Sequence, residues 1–317
     1  SGTEGEFWLN RCGPLLETEP RGEAAVKTMC HDIEDPTFDA TAVATNPRAR
    51  VRPVHRPPRV NADSTPHCKW RVFIEPDATP IEERDITRTM RTTALARIEL
   101  KRLSGDQTGG LDYYDGPVFE SLQLERFSRS ALALICKELA VQLHLLVNSL
   151  HMVVAQRYGQ EAATEIARFQ MAGTGWVVSE RLARSLGPID GGIDLVVEVL
   201  RRHPAFQPRE YFGLTVEKLD QKSARLRFAS AAAGREEMPL GWYPLLTAGH
   251  TDGLEAIIRG VNQDARLIPV CDGDCMAWDV VLSSPSGSSE APLAVQIAKG
   301  TVLYKTKLEN HLQLIEL

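Results

Sequence analysis

The 317-residue sequence predicts an α+β fold in two domains, and three observations carry that prediction. The chain is longer than one hydrophobic core usually serves. Its strongest helical periodicity, starting near Ser128, comes ahead of a set of strand-like runs instead of alternating with them. A stretch rich in Gly and Asp, GDQTGGLDYYDGPV, separates two periodic regions. Together they place a small N-terminal α+β domain with a hairpin at 1–105, a linker at 106–118, and a larger domain of helices followed by an antiparallel sheet at 119–317.

In the N-terminal domain, Gly22–Cys30 combines helix formers with an acidic residue near its start, which favours a short helix ending near His31. Asp35-Pro36 then reads as a turn. Arg48–His55 and Cys68–Ile74 read as strands, the second alternating Cys68, Trp70, Val72 and Ile74 with Lys69, Arg71 and Phe73. Paired as a hairpin around Pro57-Pro58 and NADST, they bring His55 towards Cys68. A helix follows across Glu82–Ile98.

The C-terminal domain opens with a helix capped by Ser128 and stopped by Gly159, apolar around most of its circumference and therefore central to the core. Helices follow at Gln160–Ser185 and Gly192–Arg202. Strands are expected at Ala224–Phe228 and Arg266–Val270, a helix at Asp252–Val261, then strands at Trp278–Leu282 and Val295–Tyr304. The Ser- and Pro-rich loop Ser283–Pro292 isolates the last of these.

A hydrophobic fraction of 43% with 25% charged residues is ordinary for a globular chain and supplies a sizeable core. A net charge of −6 argues against nucleic acid and anionic membrane as partners, because both require a basic surface. Small molecules, and further copies of the chain in a homo-oligomer, are the expected partners. No stretch reaches about 18 consecutive apolar residues and the N-terminus has no leader pattern, so a cytoplasmic location is expected. Six cysteines in so long a chain suggest reduced thiols.

Chemistry concentrates in the first quarter, where Cys30-His31 and His67-Cys68 accompany Cys12 and His55. Thiols next to imidazoles suit a nucleophile with its base or a metal centre, or else are ordinary buried or surface residues, free Cys being among the most often buried types; Arg48, Arg50, Arg52, Arg56 and Arg59 add positive charge that would lower a thiol pKa. The acidic run Asp32-Ile33-Glu34-Asp35, with Asp39 beyond, reads either as a solvated helix end or as an acid/base or cation site. On the long helix Lys137, His144, Asn148 and His151 share an arc of about 60°. This stripe either lines a ligand pocket or forms the helix's solvent-facing side. Cys271 and Cys275, with His250 upstream, make a candidate metal set for zinc or iron, and the Asp-Gly-Asp between them reads equally as a turn leading into a strand. G-x-G-x-x-G, G-x-x-x-x-G-K-[ST], H-E-x-x-H and G-x-S-x-G are all missing from the sequence, so the common cofactor, zincin and hydrolase readings lack their usual support.

Two family resemblances add to this reading. FSRSALALICKEL, VVAQRYGQEAATEIA and SERLARSLG resemble the helical half of the L-2-amino-thiazoline-4-carboxylic acid hydrolase-like proteins, and Cys12-Gly-Pro, MCHDIEDP and HCKWRVFIEP resemble their cysteine-containing half. The stretches cover less than half of the chain, and the halves stand in a different order. The resemblance implies hydrolysis of a small heterocyclic or amide-like C–N bond, with Cys30 and Cys68 at the positions of the family's cysteines. The arrangement of Cys271 and Cys275 is similar to that in 4-vinyl-reductase-like small-molecule-binding domains, where such cysteines hold zinc.

Two functional expectations result. The first is a hydrolase acting on a small anionic substrate, with Cys30 or Cys68 as nucleophile, His31, His55 or His67 as base, and Arg56 binding a carboxylate through its planar fork. The second is a sensor-like small-molecule-binding protein in which His144, Asn148 and His151 line the ligand pocket and cysteines hold a structural zinc.

Overall fold

Two compact units divide between Arg84 and Asp85 in the computed structural model of the chain, which describes residues 2–105, 109–116, 123–187, 192–229, 232–236, 241–270, 276–283 and 291–299. The division falls earlier than the Gly- and Asp-rich stretch chosen from the sequence. The physical reason is that the segment after Arg84 belongs to the second core. Leu95 is fully buried there, and the Ala94 and Leu95 N–H groups each donate to the Glu236 carboxylate at 2.9 Å.

In chain order the first unit comprises β1 (Glu4–Leu9), α1 (Gly13–Thr18), α2 (Glu23–Lys27), a π-helical segment (Thr28–Ile33), α3 (Glu34–Thr45), β2 (Ala49–His55) and β3 (Cys68–Ile74). The strands form an antiparallel sheet in the order β1-β3-β2, with Phe7 opposite Trp70 and Leu9 opposite Cys68. The expected β2–β3 hairpin forms, and its register shifts between Pro53 and His55. Trp70 is fully buried, and its ring packs on Phe38 and Phe7 at centroid distances of 4.5 and 6.4 Å. Contrary to the sequence reading, the chain does not turn at Asp35-Pro36. Pro36 lies in the first turn of α3, where its fixed φ suits a helix. Glu34 and Asp35 share that first turn, which the helix dipole favours.

The second unit contains α4 (Asp85–Thr92), α5 (Arg129–Tyr158), α6 (Gln160–Ser185), α7 (Ile193–Arg202), α8 (Arg209–Phe212), β4 (Leu214–Lys218), β5 (Ser223–Phe228), α9 (Tyr243–Thr247), α10 (Asp252–Arg259), β6 (Ala265–Pro269), β7 (Met276–Leu282) and α11 (Leu293–Ala298). Ser128 Oγ accepts from the Ala131 N–H at 3.1 Å, the predicted cap of α5, and Gly159 at a φ of 90° both ends α5 and precedes α6. The strands form an antiparallel sheet in the order β4-β5-β7-β6. Its inner face supplies Ala224, Leu226, Phe228, Trp278 and Val280 to a core shared with α7, α9 and α10. Outside, Arg225 pairs with Asp279 at 2.7 Å. The architecture is α+β.

Two further elements differ from expectation. The helix expected over Glu82–Ile98 is confined to α4. Val295, expected in a strand, lies in α11, buried against Ala172 and Trp176 of α6. A short apolar run such as LAVQIA fits either period, and Pro292 ahead of it favours a helix start. Residues 300–304 of that expected strand lie outside the described residues.

By length and composition α5 could cross a membrane, with a hydropathy of 1.6 over its most apolar window. It packs against α6 and carries the buried polar side chains of His144, Asn148 and His151. Core helices of water-soluble proteins meet the same two criteria.

Candidate functional site

Cys12 follows β1, Cys30 stands within the π-helical segment and Cys68 opens β3, so one end of the sheet and one helical turn gather three thiols into the interior of the first unit. All three are free and buried. Cys12 and Cys30 pack with Leu15 and Val26, while Cys68 packs with Val51 and Trp70. Burial pushes the Cys30 thiol up to about 12; the Glu34 carboxylate and the neighbouring thiols add to the effect, and Arg56 opposes it. Burial likewise raises Cys68, against the Trp70 indole, which favours the thiolate. A thiol so placed is protonated at neutral pH and is a poor nucleophile.

The imidazoles around these thiols are committed elsewhere. His31 Nε2 lies 2.7 Å from the Pro57 carbonyl oxygen, and His55 Nε2 lies 2.9 Å from that of Pro66, so in each the Nε2–H donates to a backbone acceptor. His67 Nδ1 accepts from the Cys12 N–H at 3.0 Å. Its proton therefore sits on Nε2, 3.2 Å from Arg59 Nη1, where a donor faces a donor. Burial first, and the Arg59 charge second, lower the His67 pKa and keep the ring neutral. Arg59 is itself held by both oxygens of Glu19 at 2.6 and 2.7 Å. The Arg56 fork, expected to receive a substrate carboxylate, pairs with Asp35 of its own chain.

Among the described residues no imidazole hydrogen-bonds to a thiol, and no group of three or more Cys, His, Asp or Glu is arranged to hold a metal ion. Cys271 and Cys275 lie outside the described residues. This geometry makes an alkylation pattern predictable. With N-ethylmaleimide at neutral pH and peptide-resolved mass spectrometry, exposed Cys136 should label fast, whereas Cys12, Cys30 and Cys68 should label only on unfolding. Rapid labelling of Cys30 or Cys68 in the folded protein would restore a thiolate to the site.

The polar stripe of α5 faces inward in the second unit. His144 is buried between Phe212 and Trp242, at ring distances of 4.6 and 5.4 Å, with Nε2 lying 3.0 Å from the Pro204 carbonyl oxygen. Lys137, at the N-terminal end of the stripe, pairs with Glu210 at 2.6 Å. Asn148 is buried beside Gly241; a Cβ added there would come within 2.2 Å of its Oδ1. His151 lies one turn further on, and it opens onto a cavity.

That cavity, about 300 Å³ in volume, is lined by His151 of α5, by Gln160, Ala163, Thr164 and Ala167 of α6, and by residues between Gly241 and His250 around α9. Its walls are alanine, leucine and proline carbons with a few polar groups set among them, the usual make-up of a small-ligand site. His151 Nε2 lies 3.1 Å from Gln170 Oε1, to which it donates, so Nδ1 carries the lone pair. Burial lowers the His151 pKa, against the Gln170 hydrogen bond. The His250 ring has no hydrogen-bond partner among the described residues.

The structure therefore separates the sequence candidates into two places. Cys30, His31, His55, Arg56, His67 and Cys68 belong to the first unit, whereas His151 joins His250 at the cavity of the second. His144 and Asn148 stand on the same face of α5 but not in the cavity wall. Gln160, Thr164 and Thr247 were missed, because they come together only once α5, α6 and α9 pack. No family model matches the chain, and neither a curated protein nor a solved structure matches it significantly.

Proposed function

We propose that this protein binds a small molecule in the cavity of the second unit, and that the buried thiols of the first unit act there as packing groups. The observation that carries the reading is the cavity itself: about 300 Å³, largely apolar, with two imidazoles and a few polar groups on its wall. The same reading keeps the protein in a reducing cytoplasm, where its thiols stay unpaired.

The test is a fragment screen by thermal shift on the full chain and on Ala248→Trp, a substitution at an exposed cavity-wall position that fills the space. A ligand at 100 times its Kd stabilises the folded state by about 2.7 kcal/mol. Hits should stabilise the native protein and lose their effect on Ala248→Trp, whose own melting should change little. Hits that ignore the substitution would move binding elsewhere and remove the proposal.

A second reading, hydrolysis of a non-peptide C–N bond in the manner of the thiazoline-carboxylate hydrolase-like proteins, is favoured by one observation. Cys30 and His31 sit on a π-helical turn, a distortion frequent at functional sites. It requires a thiolate at Cys30 or Cys68, which the burial of both opposes. The alkylation pattern above separates the two readings.

A further inference from the structure

The lining of the cavity also constrains the charge of what enters it. Among the described residues that form the wall there is no Asp, Glu, Lys or Arg. Arg168 of α6, next to the wall residue Ala167, is paired with Asp252 of α10 at 2.9 Å. An ionic ligand would leave water without a counter-charge to meet it, and such uncompensated desolvation is costly. A neutral ligand meets no such cost. The polar groups that are present, Gln160, Thr164, Thr247 and the two imidazoles, can serve as hydrogen-bonding partners.

The tautomer of His151 narrows the class further. Its Nε2–H is given to Gln170, so the nitrogen left over is an acceptor on a residue that is 3% exposed and lines the cavity. An acceptor on so buried a wall residue is satisfied by a ligand N–H or O–H.

We infer that the cavity selects a small neutral molecule that carries at least one N–H or O–H donor, an amide or lactam type of ligand, over carboxylates and amines of the same shape. This rests on the binding reading above and replaces the anionic substrate expected from Arg56, which lies in the other unit and pairs with Asp35. Aromatic and branched neutral molecules of this kind fit the alanine, leucine and proline walls equally well.

The experiment compares two matched sets by saturation-transfer NMR and thermal shift at pH 7.5 on the full chain: benzamide, benzoate and benzylamine, then isobutyramide, isobutyrate and isobutylamine. Binding of the amides at least tenfold tighter than their charged partners, lost in Ala248→Trp and weakened in His151→Phe, is the expected result. Carboxylates or amines binding as tightly as the amides would overturn the neutral class while leaving the cavity reading intact. Silence from all six would overturn both.

Discussion

Between pH 6.5 and 4 the second unit is expected to lose on the order of 6 kcal/mol of stability through two buried histidines, His144 and His203. Burial lowers each from the ordinary 6.5 to about 4. The difference, at about 1.4 kcal/mol per pKa unit, is about 3 kcal/mol for each ring. Burial keeps the neutral form, against the hydrogen bond each ring donates to a backbone carbonyl. His203 Nε2 donates to the Gly175 carbonyl at 3.2 Å while its Nδ1 accepts from the Ala205 N–H at 3.1 Å, so a second proton would meet a donor. His144 sits between two aromatic rings with its one donor given to Pro204.

The direction follows from linkage. The unfolded chain takes up protons near 6.5 and the folded chain only near 4, so stability is complete above 6.5 and falls as pH falls between the two values. Urea unfolding at pH 7.0 and 4.5 measures the loss, and His203→Gln should remove part of it. Imidazole NMR titration of the unsubstituted protein supplies the independent check. Buried His144 and His203 resonances titrating near 6.5 in the folded state would remove the argument.

Those histidines also show how far the sequence could be read. His144, Asn148 and His151 stood out as a stripe because helical spacing is local, and one residue per 100° places them on one face without further information. Which way the stripe faced was not local. Leu139 and Leu146 on the opposite side of α5 are exposed at 58% and 69%, against the usual apolar-inward rule, so the pattern alone could not assign the inner face. The β2–β3 hairpin and the Ser128 cap were legible for the same local reason. β1 was not, because only Phe7 in EGEFWL is turned partly inward and the rest lies exposed at a sheet edge. The cavity was illegible for a different cause: its walls come from residues separated by some eighty positions, and Gln160 or Thr247 taken singly carries no signal of a site.

Gly260→Ala is expected to destabilise the second unit by about 2–3 kcal/mol, lowering its Tm by about 4–12 °C. The backbone gives no reason for a loss. At a φ of −64° alanine is comfortable, and by restricting the unfolded chain it should add about 0.4–1 kcal/mol of stability. The loss comes from α6. A Cβ at Gly260 would stand 2.7 Å from the Trp176 carbonyl oxygen, 3.0 Å from the Trp176 Cα and 3.0 Å from the Ser179 Cβ. The first two are main-chain atoms inside a continuous helix and cannot step aside without opening its hydrogen bonds. Gly175→Ala provides the comparison, since its Cβ would meet a side-chain carbon, Ile257 Cγ1, at 2.6 Å instead of main chain. Its cost should be smaller, offset by the roughly 1 kcal/mol that alanine gains over glycine inside a helix. Thermal melts of the two variants order them. A neutral Gly260→Ala, or a reversal of the order, would mean that α6 and α10 do not approach as closely as these distances require. The contact matters beyond stability, because the same α6 carries Ala163, Thr164 and Ala167 into the cavity wall, and its seating on α10 holds them there.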